Sequence, residues 1–127
     1  MNVALWVLQG LLAVAFLLHG WLLLSPPANM VEQMNASISP AFRIFLGVAE
    51  VLAAIGLTLP GITRIRPRLI PLAAAGLMIV MVGATVFHLK RGEYSSAATT
   101  AVLLVAATFV AYMRWKVKPI SPRAAPQ

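Results

Sequence analysis

The chain has 127 residues, 61% of them hydrophobic and 10% charged, with no cysteine and a formal net charge of +7, and its mean hydropathy is +0.89. A water-soluble domain of this length has too little interior to hide so much apolar surface, and without cysteine no disulfide, thiolate metal site or thiol redox chemistry can belong to it. The basic surplus falls in loops and at the end of the chain, where it orients membrane spans and meets anionic headgroups rather than nucleic acid.

Hydropathy divides the sequence into four apolar segments, each close to the roughly 20 residues that cross a ~30 Å hydrocarbon core. The first, about 3–24, lacks a basic leader and a small-residue cleavage site, so it reads as a retained helix. Ser25-Pro26-Pro27 ends it, and Met30, Val31, Met34 and Ile38 then recur at helical spacing, which suits a short interfacial helix. The second span, about 40–59, opens on Pro40, at home in a first helical turn, and meets a stop signal in Pro60-Gly61. A basic loop, "GITRIRPR", leads to the third span, about 69–89, and "KRGEYSS" leads to the fourth, about 97–115. Residues 116–127 read as a basic, disordered tail. With short loops and no second domain, residues 1–115 are expected to form an all-α, integral membrane, up-down four-helix bundle.

Four crossings put both termini on one side with the loop between spans two and three. That side carries Arg64, Arg66, Arg68, Arg114, Lys116, Lys118 and Arg123; the other carries only Arg43, Lys90 and Arg91, offset by Glu32 and Glu93. The positive-inside rule therefore predicts cytoplasmic termini.

Glu50 is one of three acidic residues in the chain and lies in the second span. At 100° per residue, Arg43, Gly47, Glu50, Ala54 and Leu57 share a small, polar stripe, while Phe45, Leu46, Val48, Leu52, Ile55 and Leu59 mostly cover the rest. Small residues let helices approach, so this stripe points into the bundle. An acid at mid-depth costs roughly 2.5–3.5 kcal/mol on insertion scales and marks a pathway or a site. Candidate partners are few: the chain's two histidines, His19 and His88, stand toward the outer ends of their spans. Counting 1.5 Å per residue, His19 lies roughly 8 Å and Glu50 roughly 14 Å below the outer boundary. Arg43 and His88 at the rim, then His19, then Glu50 make a descending ladder, suited to carrying protons or to binding the polar head of a lipid-like ligand, with Gly47 lining the same face. A simpler role is a Glu50–His19 hydrogen bond that holds helices together. Gln9, Thr85, Thr108 and Tyr112 read as packing or interfacial residues, and Trp6, Trp21, Tyr94 and Trp115 as interfacial anchors. The histidines and Glu50 lie on three separate helices without metal-ligand spacing, so no metal site is expected.

In order along the chain, "FLLHGWLLLSPP", "RIFLGVAEVLAAIGLTLP" and "LIPLAAAGLMIVMVGATVFHLKRGE" resemble the DoxX and DoxX-like membrane proteins. Arg43, Gly47 and Glu50 carry the resemblance in the second span, and Phe87-His88-Leu89 with Arg91-Gly92-Glu93 carry it in the third. Leu23 or Leu24 stands where members often have a lysine after the first-span glycine. The resemblance implies a bacterial inner-membrane protein linked to respiratory electron transfer, with quinone as the ligand and an oxidoreductase subunit as partner; other members are similar to membrane chaperones. On this reading Glu50 and His19 exchange protons, while His88, Arg43 and Gly47 hold a polar headgroup. Two rivals stand beside it: a membrane-embedded acid–base enzyme (isomerase, cyclase or hydrolase) acting on an apolar substrate through Glu50, and a non-enzymatic assembly protein.

Overall fold

The structure is a computed structural model and describes residues 1–123. In chain order it forms α1 (Asn2–Leu24), α2 (Ala28–Ser37), α3 (Pro40–Thr63), α4 (Leu69–Lys90) and α5 (Tyr94–Tyr112), and α5 runs on into a π-helical turn, Met113–Val117. α1, α3, α4 and α5 with its π turn are each long and apolar enough to cross a membrane. Helices satisfy every backbone donor and acceptor within the segment, which is what a bilayer demands. The all-α membrane bundle expected from the sequence is the fold observed.

α1 packs along α3, α4 packs along α5, and the two pairs join through α3 and α4; α1 and α5 meet over a much shorter stretch. The shared core comprises Leu12 and Phe16 of α1, Ala54 and Leu57 of α3, Ile70, Ala74 and Leu77 of α4, and Ala107 and Val110 of α5. The buried face of α3 is Arg43, Gly47, Glu50, Ala54, Leu57, Pro60 and Gly61, so the polar stripe does point inward. Gly20 and Gly47 set the distance between α1 and α3. A Cβ on Gly47 would lie 3.0 Å from the Gly20 carbonyl oxygen and 2.8 Å from Leu24 Cγ. Backbone meets backbone there, the close approach that small residues permit in membranes.

Helix ends follow their local chemistry. The Ser39 hydroxyl accepts from the Phe42 N–H at 3.2 Å, capping α3, and Pro40 fills its first turn. α3 continues through Pro60 to Thr63 rather than stopping at Leu59, and it ends with Arg64 in the left-handed region at φ 58°. A proline near the end of a helix forfeits one hydrogen bond to the residue four back, here the Gly56 carbonyl, and only the last turn is affected. α4 closes in a Schellman turn: Gly92 takes φ 72°, its N–H donates to Leu89, and the Glu93 N–H donates to His88. α2 turns Met30, Val31 and Met34 inward and leaves Glu32, Gln33 and Asn35 exposed, the interfacial helix that their spacing suggests. Of the basic tail, residues up to Arg123 are described. There the Arg64 side chain donates to the Ser121 carbonyl at 2.9 Å, and the Arg123 N–H donates to the Arg64 carbonyl at 2.9 Å. Residues 124–127 lie outside the described residues.

Candidate functional site, a buried carboxylate and an exposed imidazole

Because Gly20 and Gly47 bring α1 and α3 together, the residue before Gly20 and the residue three after Gly47 also meet. His19 Nδ1 lies 2.9 Å from Glu50 Oε1 and 3.1 Å from Oε2. The two ends of this contact differ sharply in environment. Glu50 is 2% exposed, whereas the His19 side chain is 56% exposed on the outside of the bundle. The carboxylate is thus reached through the imidazole. When the carboxylate accepts from Nδ1–H, the lone pair of the ring sits on Nε2, which has no hydrogen bond among the described residues. The arrangement can take a proton at Nε2 and balance the resulting charge with a carboxylate already in place, the logic by which a buried acid orients and supports a histidine base.

The other residues singled out in the sequence do not join this pair. Arg43 sits two turns toward the N-terminal end on the same face of α3, roughly 10 Å from Glu50 along the axis. It is buried, and Nη1 donates to the Leu23 carbonyl at the end of α1. That bond satisfies one of the carbonyls a helix end leaves free. Gly47 acts through the close approach just described. His88 is bonded elsewhere: its Nδ1 lies 2.9 Å from Glu93 Oε1, and Arg91 Nε donates to the same oxygen at 3.2 Å. The His88 imidazole holds the Glu93 carboxyl below the ordinary carboxylate range, with Arg91 assisting. A depressed folded-state value stabilises the loop above the ordinary carboxylate value, and that stabilisation is lost as pH falls through the lowered one. Hydrogen exchange at the amides of Gly92 and Glu93 should therefore be slow at neutral pH relative to its intrinsic rate. Protection should fall on acidification in the wild type but not in Glu93→Gln.

A second polar cluster, at the opposite end of the bundle, was not singled out in the sequence. Gln9 of α1 is fully buried, and its Nε2 donates to the Leu57 carbonyl at 2.7 Å. Its Oε1 accepts from Arg114 Nε at 2.6 Å. Arg114 Nη1 donates to Asn2 Oδ1 at 2.8 Å and to the Lys118 carbonyl at 2.9 Å, and the guanidinium lies over the Trp6 ring at 5.4 Å. Arg114 is only 3% exposed, although its place in a basic stretch suggests an interfacial charge. The π turn accounts for the difference: with the Lys118 N–H bonded to the Met113 carbonyl, five residues back, the last turn is wider and Arg114 faces the interior. Gln9→Leu leaves a buried charged donor short of an acceptor, and the expected loss is about 1.5–3 kcal/mol. Thr85 and Thr100 share a neutral hydrogen bond of 2.8 Å between α4 and α5, for which Thr85→Val should cost only about 0.6 kcal/mol. Thermal unfolding in detergent compares the two, and equal losses would mean that Arg114 finds another partner.

Residues 7–110 match the family model described as DoxX-like. The match contains His19, Arg43, Gly47, Glu50 and His88 and stops short of Arg114. No curated protein and no solved structure matches the chain in the corresponding comparisons.

Proposed function

This chain belongs to the DoxX-like family, and from that premise we propose that it is a membrane subunit that binds a lipophilic, proton-exchanging molecule of quinone type at His19 and Glu50. The observation that carries the reading is the contact itself, an almost wholly buried carboxylate on Nδ1 of an imidazole that faces outward. A quinol hydroxyl at Nε2 gives up its proton to the ring, and the Glu50 carboxylate offsets the positive charge; in the reverse direction the imidazolium supplies the proton. Electrons pass to or from a partner oxidoreductase subunit, so this chain's share of the reaction is to bind the headgroup and to move the proton. Gly47 keeps α1 within reach, and Arg43 fixes the outer end of α1 by its bond to Leu23. His88, held by Glu93, belongs to the α4–α5 turn.

The direct test is a titration of the purified protein with a short-chain quinone, followed through quenching of tryptophan fluorescence. Wild type should bind saturably, and His19→Ala should weaken binding by about tenfold or more, the loss expected when a hydrogen bond to a charged group worth about 1.5–3 kcal/mol is removed. Undiminished binding by a folded His19→Ala protein would leave the pair as a helix clamp and favour the assembly role.

The proposed setting is the bacterial inner membrane with both termini in the cytoplasm, on the strength of the arginines of the Arg64–Arg68 loop and the basic end of the chain. Single cysteines at Ser37 and Ser95 should then react with an impermeant label from outside, and cysteines at Arg66 and Ser121 only after permeabilisation. Outside labelling at position 66 would invert the orientation and the direction of proton entry.

A further inference from the structure

α3 and α4 diverge on their lipid-facing side and leave an apolar groove of about 690 Å³. Its floor and walls are formed by Leu52, Ala53, Gly56, Leu72, Ala73 and Gly76. The helices touch at the floor, where a Cβ on Gly56 would lie 2.9 Å from the Ala73 Cβ, yet a Cβ on Gly76 would meet nothing within 4 Å. On α3 the groove runs from Ala49 to Thr63, a length of about 21 Å at 1.5 Å per residue. One leaflet of a ~30 Å hydrocarbon core is about 15 Å deep, so a single acyl chain fits along it with room to spare.

The groove does not end in neutral surroundings. Thr63, the last residue of α3, and Ile65, in the loop that carries Arg64, Arg66 and Arg68, both line it. Trp115 underlies Arg68, whose guanidinium is 5.5 Å from the ring centre, and a tryptophan of this kind marks the headgroup level. Arg64 and Arg66 both adopt left-handed backbone, φ 58° and φ 50°, a conformation that glycine takes freely and arginine does not. For Arg64 the side chain has a use within the fold, since it donates to the Ser121 and Pro122 carbonyls. The Arg66 side chain is exposed and has no partner among the described residues, so what arginine adds over glycine there is a positive charge beside Ile65, which lines the groove.

We propose that the α3–α4 groove is a binding site for one anionic phospholipid, with an acyl chain lying along the groove and the phosphate at Arg66 and Arg68. Neither His19 nor Glu50 lines the groove.

Full-length protein in detergent, stripped of lipid and titrated with phosphatidylglycerol or phosphatidylcholine, tests this by native mass spectrometry. Wild type should retain one phosphatidylglycerol in preference to phosphatidylcholine. Arg66→Gly, which relieves the left-handed backbone while removing the charge, should stay folded and reduce that preference about fivefold. Gly76→Leu, whose side chain enters open space in the groove, should lose both lipids while its melting temperature is held or raised, because leucine is the better helix former. Equal retention of the two lipids by wild type would overturn the proposal, as would undiminished phosphatidylglycerol binding in folded Gly76→Leu. A wild-type dimer that Gly76→Leu dissociates would also overturn it, by showing a second copy of the chain in the groove. Should Gly76→Leu fail to fold, the comparison of Arg66→Gly with wild type still decides.

Discussion

Glu50→Gln should fold as wild type does and lose proton exchange by about 100-fold or more, the contribution typical of a positioned acid or base. Glutamine has nearly the same shape, and its side-chain oxygen can still accept from His19 Nδ1–H, which in the native protein lies within 3.1 Å of both carboxylate oxygens. Polar pairs between membrane helices contribute around 0.6 kcal/mol on average, so the exchange of acceptor should move the melting temperature little. What the amide cannot do is carry the negative charge that balances a proton on Nε2. His19→Ala should share the functional loss but cost more stability, because it removes the one hydrogen-bond partner that the buried Glu50 has among the described residues. Proton release during oxidation of a short-chain quinol by the partner oxidoreductase gives the rate. Infrared difference spectra should contain a carboxylate signal that disappears in Glu50→Gln. Full proton exchange by Glu50→Gln would remove the functional role and leave Glu50 as a packing residue.

How much of this could be read beforehand depended on which helix carried the information. α3 has one small, polar face and one large, apolar face, so its buried stripe of Arg43, Gly47, Glu50, Ala54 and Leu57 follows from angular spacing alone. α1, α4 and α5 are apolar on all sides, because lipid and protein core favour the same residues, and periodicity cannot separate their two faces. That is why His19 could be named as a partner for Glu50 by scarcity of candidates, whereas its large exposure could not be anticipated. Arg114 was illegible for a different reason. Its inward position depends on a widened turn and on Gln9 and Asn2, more than a hundred residues earlier in the chain. The His88–Glu93 contact did leave a signal: an acid five residues after a histidine, with glycine between them, suits a Schellman turn that folds the two together. Pro60 reads as a stop in the sequence because proline usually is one; the helix carries on because only its final turn is affected.

Gly47→Leu should have the largest structural effect of any single substitution considered for this chain. The new Cβ would fall 2.8 and 2.9 Å from Leu24 Cγ and Cδ2, and those flexible atoms can move aside. The Gly20 carbonyl oxygen, at 3.0 Å, belongs to the backbone of a helix and cannot move without α1. Overpacking of a well-filled core costs typically about 1–3 kcal/mol, and here the remainder of the leucine side chain must also be housed between two backbones in contact. α1 must therefore shift outward. His19 adjoins Gly20 and Glu50 lies within one turn of Gly47, and an outward shift of about 1 Å would stretch their 2.9 and 3.1 Å contacts beyond hydrogen-bond range. Stability and proton exchange should then fall together, unlike in Glu50→Gln, where only exchange falls. Gly10→Ala supplies the control on the same helix pair: a Cβ there meets nothing within 4 Å, and replacement of a mid-helix glycine should stabilise by up to about 1 kcal/mol. Thermal unfolding in detergent, read beside quinone binding, separates the cases. A Gly47→Leu protein as stable as wild type would mean that α1 and α3 do not meet at Gly20 and Gly47, and the contact between His19 and Glu50 would lose its structural basis with them.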